Sequence, residues 1–156
     1  MTFINGAVVF VLLAALDLSA GAVAYAQPKA PEGEPGSVTI VVKDLEHRRG
    51  KVRCALFDRK DAWLTPKAIA GVEVKISKGL QAVCTFPKVK AGTYAVAIMH
   101  DENGDGELER NFLGIPSEGT TTSRNAPANF GPPSYDDAKF RYGGQKPMRL
   151  VARMRY

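Results

Sequence analysis

The chain has 156 residues, of which 45% are hydrophobic, and its 21 Lys and Arg outnumber its 16 Asp and Glu. This length suits one domain with a hydrophobic core, so a second domain is not needed. The formal net charge of +5 favours anionic partners such as envelope components, while nucleic acid is not expected.

The first 26 residues have the pattern of a secretory signal peptide. An apolar run from Ile4 to Leu18 precedes Ala24-Tyr25-Ala26, an Ala-x-Ala motif of the kind that signal peptidases read. The run is too short and too interrupted to cross about 30 Å of hydrocarbon. We expect cleavage after Ala26, no transmembrane segment in the mature chain, and a periplasmic or secreted protein. An uncleaved anchor is the alternative, because no Lys or Arg precedes the run.

Residues 27–36 hold three prolines and two glycines, which predicts an extended tether. The domain is then predicted over residues 37–156. Alternating apolar and polar residues, many of them β-branched, predict seven strands in this region. They cover residues 38–43, 51–58, 72–76, 81–86, 92–100, 138–142 and 147–156. Seven short strands separated by turn signals indicate an all-β protein, a single antiparallel β-sandwich.

The two cysteines lie in predicted strands. Cys54 shares a strand face with Leu56, and Cys84 shares one with Phe86, so both thiols are expected to point into one core. In an oxidising compartment such a pair favours a disulfide, which would close a loop of about 30 residues and stabilise the fold by roughly 3–4 kcal/mol. Two buried free cysteines are the alternative.

The segment from Asp101 to Glu109 resembles the first half of a calcium-binding loop. Its candidate ligands are oxygen-bearing residues, with Glu107 contributing through its carbonyl: Asp101, Asn103, Asp105, Glu107 and Glu109. Phe112 stands where such a loop has a bidentate Glu, so any affinity is expected to be weak, about 10⁻⁴–10⁻³ M. The simpler interpretation is a polar turn built on Asn103-Gly104 and Asp105-Gly106.

A long segment from Asp101 to Asp136, rich in Gly, Pro, Asn, Ser and Thr, separates the fifth and sixth predicted strands. Loops of this length in a compact domain are usually functional or disordered. Phe130 and Tyr135 flank a Pro-Pro pair in it and are candidates for a binding surface, as is the single tryptophan, Trp63. Packing onto the sheet is the simpler interpretation for all three.

No catalytic pattern is present in the sequence. His47 and His100 are the two histidines, and they are far apart along the chain. The Gly-x-Ser-x-Gly, Gly-x-Gly-x-x-Gly and Cys-x-x-Cys motifs, which mark common catalytic and cofactor sites, do not occur. We therefore expect a protein that is not an enzyme and that needs no cofactor other than, at most, calcium.

Four segments in this order carry a resemblance to a known family: GKVRCALFD (50–58), AGTYAVAIMHDENGDG (91–106), FLGIPSEG (112–119) and FGPPSYDDA (130–138). The chain resembles the bacterial domain of unknown function 2141, over roughly residues 37–156. The resemblance implies an exported bacterial β-sandwich and no established activity. The Gly-Thr-Tyr start of the fifth strand is also similar to transthyretin, so the expected sandwich is immunoglobulin-like or transthyretin-like.

The function expected from these features is that of an exported, non-catalytic binding module with an unknown ligand. Its working surface is predicted to be the segment 101–136, ordered by weak calcium binding. The alternative is a structural envelope protein that uses the arginines at 149, 153 and 155 to associate with anionic surface polymers.

Overall fold

A computed structural model of the protein describes residues 36–128 and 131–156. The predicted signal peptide and almost all of the predicted tether lie outside these residues. The described part is mostly β structure, with eight strands. They are β1 (Val38–Lys43), β2 (Lys51–Phe57), β3 (Ala70–Val74), β4 (Ala82–Phe86), β5 (Gly92–Asp101), β6 (Thr120–Thr122), β7 (Phe140–Tyr142) and β8 (Met148–Arg153). One short helix, α1 (Tyr135–Ala138), and two single 3₁₀ turns, Lys60–Ala62 and Ser123–Asn125, complete this region.

The strands form two sheets. One has three strands in the order β4-β1-β8, and the other has the order β3-β2-β5-β6, with β7 also paired to β5. Most pairs are antiparallel, as predicted. The pair β1–β8 is parallel, with Ile40 opposite Leu150, and this corrects the prediction of a fully antiparallel arrangement. The chain reaches β8 from β7, which belongs to the other sheet, so no hairpin imposes an antiparallel direction on β8.

Strand β6 was not predicted from the sequence. It consists of three threonines inside the predicted loop and has no apolar alternation that would mark a strand. Its position is set by pairing, because Thr122 lies opposite Ala97 of β5. The described residues therefore form eight strands rather than the seven that were predicted.

The inward faces of both sheets share one hydrophobic core. Alternate residues of β1 (Val38, Ile40, Val42) are fully buried against Leu56 of β2 and Phe86 of β4. Each such side chain contributes roughly 1.5–3 kcal/mol to the stability when it is fully buried. A disulfide between Cys54 of β2 and Cys84 of β4 links the two sheets inside this core.

A second, smaller apolar cluster covers one end of the outer face of the five-stranded sheet. Phe57 and Ala95, which are paired between β2 and β5, are buried there beneath Tyr135 of α1. The ring of Trp63 packs edge-on against both aromatic neighbours, with centroids 5.2 Å from Phe57 and 5.8 Å from Tyr135. This cluster leaves the rest of that sheet face open.

Candidate functional site: a groove on the outer face of the five-stranded sheet

A row of small residues crosses the open part of the sheet. Ala55 of β2 lies opposite Gly71 of β3 on one side and Ala97 of β5 on the other, and Ala97 lies opposite Thr122 of β6. Residues opposite each other in a sheet point to the same face, so these four form one line. The neighbouring residue Cys54 points into the core, which places the line on the outer face. Small side chains in a line across four strands produce a depression in the sheet surface.

The next row along the strands is larger and more polar. Arg53 of β2 lies between Glu73 and Met99, and Met99 lies opposite Thr120. An isolated bridge joins Thr120 to Arg155, so Arg155 ends this row at the β6 edge of the sheet. The depression is therefore bordered on one side by a row that carries charge.

Two stretches of chain rise beside the depression and make it a groove of about 1220 Å³. One wall is the finger, which we define as residues 110–116. The other contains Leu64, Ala126 and the Pro132-Pro133 pair, next to the second apolar cluster. Both walls therefore include parts of the segment 101–136, which the sequence predicted as a working surface, and the sheet forms the floor of the groove.

The finger is a tight hairpin with an apolar surface. A bridge between Arg110 and Pro116 closes it, and the side chain of Asn111 accepts hydrogen bonds from the N–H groups of Leu113 (3.0 Å) and Ile115 (3.1 Å). Leu113 and Ile115 line the groove and remain 67% and 55% exposed. At the tip, Phe112 is 95% exposed. Large apolar side chains grouped on a surface in this way usually mark a place of contact.

The three arginines of the groove differ in how their charge is balanced. Arg53 lies 3.4 Å from a carboxylate oxygen of Asp101 and 3.9 Å from one of Glu73. Arg110 and Arg155 donate to carbonyl oxygens, those of Gly114 (3.1 Å) and Asn125 (3.2 Å). Within residues 36–128 and 131–156, neither of these two guanidinium groups has a carboxylate within 4.0 Å. Among the described residues, Arg110 and Arg155 are therefore the groove arginines without a carboxylate partner. The groove lining also contains the buried carboxylate of Glu118, which accepts the backbone N–H groups of Glu102 and Glu109.

The predicted calcium loop follows β5 and closes on itself through hydrogen bonds. The buried Asp101 carboxylate accepts the N–H groups of Gly104 (2.8 Å) and Gly106 (3.1 Å). Gly106 has a φ of +85°, a backbone conformation that residues with a side chain rarely adopt, so glycine is favoured at this position. A Cβ atom there would also displace the flexible end of the Arg53 side chain.

The other predicted ligands are grouped around the amide of Asn103. Its nitrogen donates to Asp105 (2.8 Å) and Glu109 (3.1 Å), and the N–H of Glu107 donates to Asp105 (2.8 Å). The hydrogen bond from Glu107, followed by the one from Asn103, lowers the pKa of Asp105 below its usual value. In the part of the chain that the structure describes, no three His, Cys, Asp or Glu side chains are placed to hold one metal ion. Calcium binding stays a prediction.

Two of the three predicted aromatic binding residues are described, and they pack against each other, with Tyr135 buried and Trp63 half-buried. Tyr135 is buried, and its hydroxyl donates to the carbonyl of Thr93 (3.4 Å). The indole N–H of Trp63 donates to the carbonyl of Pro133 (2.7 Å). Neither ring lines the groove. Trp63 contacts the wall residue Pro133 through its hydrogen bond, and Tyr135 packs against Trp63. Phe130 lies outside the described residues.

His100 is fully buried at the end of β5, and both ring nitrogens are engaged. Nε2 lies 2.8 Å from the carbonyl oxygen of Arg49, which can only accept, so Nε2 carries the proton. Nδ1 then accepts from the hydroxyl of Tyr156 at 2.7 Å. Burial raises the pKa of Tyr156 above its usual value. The histidine therefore anchors the C-terminal residues beside β6, where Arg155 reaches the groove.

The floor residues of the groove were missed in the sequence. The signal for them was present, since Gly71, Ala55, Ala97 and Thr122 occupy outward positions of strands where long polar side chains are the rule. Recognising it requires the strand order and register, which bring these four residues into line. In the sequence, Arg155 was grouped with Arg149 and Arg153 as a basic face for anionic surface polymers, and not with the residues of the groove.

The fold and the groove define an all-β domain with a recessed outer sheet face. A family described as "Uncharacterized protein conserved in bacteria (DUF2141)" matches residues 40–149, and the chain belongs to this family. This confirms the resemblance seen in the sequence. No curated protein and no solved structure matches the chain. Among the described residues, no helix is long and apolar enough to cross a bilayer.

Proposed function

We propose that this protein is an exported, non-catalytic binding module whose ligand occupies the groove on the outer face of the five-stranded sheet. The observation that carries the proposal is the groove of about 1220 Å³ with its floor of small residues. Pockets for small molecules usually measure about 300–1,000 Å³, so the space is sufficient for a sizeable ligand.

The side chains of the groove support a binding role over a merely solvated surface. A sheet face that only meets water normally carries long polar side chains at alternate positions. Ala55, Ala97 and Gly71 instead leave volume above the sheet, and Leu113 and Ile115 face that volume without full cover. A bound ligand would remove these apolar surfaces from water, which favours binding.

Two further parts of the proposal rest on other residues. The absence of catalysis is supported by His100, since both of its nitrogens are held by Tyr156 and Arg49 and the residue does not line the groove. Export is supported by the Ala24-Tyr25-Ala26 motif and by the disulfide, which persists in oxidising compartments. We propose an immunoglobulin-like or transthyretin-like type for the sandwich, and the disulfide between the sheets supports the first of these two.

A neutral apolar dye, N-phenyl-naphthylamine, tests whether the groove binds a ligand. We expect its fluorescence to rise on addition of the protein, with saturation at one site. Gly71→Phe is the blocking variant, because a Cβ atom at Gly71 meets open space and its φ is not in the left-handed region. We expect affinity to fall about tenfold or more, equivalent to about 1.4 kcal/mol, without loss of thermal stability.

Gly143→Phe is the matched control. It makes the same change at a glycine that also has open space around it but does not line the groove. Ala97→Leu, on the floor, is a second blocking variant. Equal dye binding by the wild-type protein and both blocking variants would refute the groove as the ligand site.

A structural envelope role is the second candidate, and the outer face of the three-stranded sheet favours it. Arg149 and Arg153 are exposed on β8; Arg153 pairs with Asp44 at 2.7 Å, whereas Arg149 has no ion pair within the described residues. Association with an anionic polymer through this face would fade as salt rises, since charges on a surface are screened beyond about 8 Å at physiological ionic strength. A co-sedimentation assay across salt concentrations, with Arg149→Ala, distinguishes this role from groove binding.

A further inference from the structure

We propose that the groove takes a fatty carboxylate: an apolar chain lying across the strands with its carboxylate at Arg155. This inference rests on the proposed binding function of the groove and names the chemical class of its ligand.

The floor of the groove favours a ligand body without hydrogen-bonding atoms. Gly71, Ala55 and Ala97 offer no polar side chain. Ala55 and Ala97 lie on the central strands β2 and β5, whose backbone groups are paired with a neighbouring strand on each side. A peptide laid there would bring its own N–H and C=O groups, which would lose water without gaining partners. An alkyl chain has no such groups.

The length and walls of the groove fit the same chemistry. Four neighbouring strands at a spacing of about 4.8 Å give the floor a length of about 14 Å, the reach of a medium-length alkyl chain. Leu113 and Ile115 of the finger form one apolar side, and Leu64 lies on the other. A slender chain would contact both sides and the floor at once.

The charges place the carboxylate at one end. At the β3 end, Glu73 is paired with Lys51 and lies near Arg53, so that end is close to neutral. At the β6 end, the guanidinium group of Arg155 donates within the described residues to the carbonyl of Asn125, and it has five N–H donors in all. The free donors of Arg155 match a carboxylate in geometry and charge. Arg110 on the finger also has no carboxylate partner among the described residues, and the three arginines of the groove lining outnumber its two carboxylates, Glu73 and Glu118.

Competition against the bound dye tests the proposal with three probes of equal chain length: dodecanoate, dodecanol and dodecyltrimethylammonium. We expect dodecanoate to displace the dye at a concentration about tenfold lower than dodecanol, since a hydrogen bond to a charged group contributes about that factor or more. The cationic probe should be the weakest of the three.

Variants at Arg155 separate the charge effect from general damage. Arg155→Ala should remove the advantage of dodecanoate over dodecanol and leave dodecanol binding unchanged, and Arg155→Lys should retain part of it. Arg149→Ala, an exposed arginine of β8 outside the groove, is the matched control and should change neither. An equal effect of Arg155→Ala on dodecanoate and dodecanol would overturn the assigned head-group position.

The outcomes distinguish this inference from the function on which it rests. If the dye does not bind, or if Gly71→Phe has no effect on it, the groove function fails. If the dye binds the groove but dodecanoate has no advantage over the other two probes, only the fatty carboxylate is excluded. Displacement by phosphatidylglycerol vesicles but not by dodecanoate would assign the site to a membrane lipid and overturn the free acid.

Discussion

Replacing Cys54 and Cys84 by alanine removes the covalent link between the two sheets. The bond joins β2 to β4 and spans a sequence separation of 30 residues. Without it, the unfolded chain gains the conformational freedom that the closed loop had removed.

The expected loss follows from the loop length. In the chain-entropy account, a loop of this size corresponds to about 3.6 kcal/mol at 25 °C. For a domain of this size, each kcal/mol lowers the melting temperature by about 3–5 °C, so the double variant should melt about 10–18 °C lower. Both cysteines are buried in the core, and the missing sulfur atoms add a packing loss to this value.

Urea unfolding of the oxidised wild-type protein, the reduced wild-type protein and the double variant measures the effect. The pair Cys54→Val and Cys84→Ala, which keeps more of the core volume, separates the packing loss from the loss of the bond. We expect reduction alone to account for most of the change. A difference below about 1 kcal/mol between oxidised and reduced protein would refute the reasoning, because the loop entropy would then not limit the stability.

Ser123→Ala should destabilise the protein by about 1–3 kcal/mol in urea unfolding, because the buried hydroxyl accepts the N–H of Val96 at 2.8 Å and that group would lose its partner. Asp136 has a pKa lowered from 3.8 to about 2 by hydrogen bonds from Lys139 and then Lys60. Its contribution to stability should therefore be complete above pH 4 and fade between about pH 4 and 2, and an NMR titration with a carboxyl midpoint near its ordinary value would contradict this. With a dissociation constant near 10⁻⁴ M, calcium at about 10 mM should stabilise the folded protein by about 2.7 kcal/mol. The melting temperature should therefore be higher in calcium than in chelator. Magnesium should not raise it, and Asp105→Ala should abolish the shift.

Much of the fold could be read from local patterns. The apolar and polar residues alternate in β2, β4 and β8 because one face of each strand packs in the common core, and this alternation is visible in the sequence. The same alternation placed both cysteines on inward faces, so the sequence also indicated the pair that the structure joins.

The parallel β1–β8 pair and the strand β6 were beyond such reasoning. Strand direction depends on how the chain crosses between sheets, and Thr120–Thr122 is a strand only because β5 supplies its hydrogen-bonding partner. Neither fact has a local signature in the residues concerned.

The sequence by itself determined that this is an all-β domain with a buried cysteine pair and a long segment after β5, because these features depend on composition and on periods of a few residues. Only the tertiary structure decided where a ligand has room. Gly71, Ala55, Ala97 and Thr122 are distant along the chain, and the sheet register alone brings them into one row. Arg155 joins the charged end of the groove for the same reason, since its bridge to Thr120 is a contact between residues 35 positions apart.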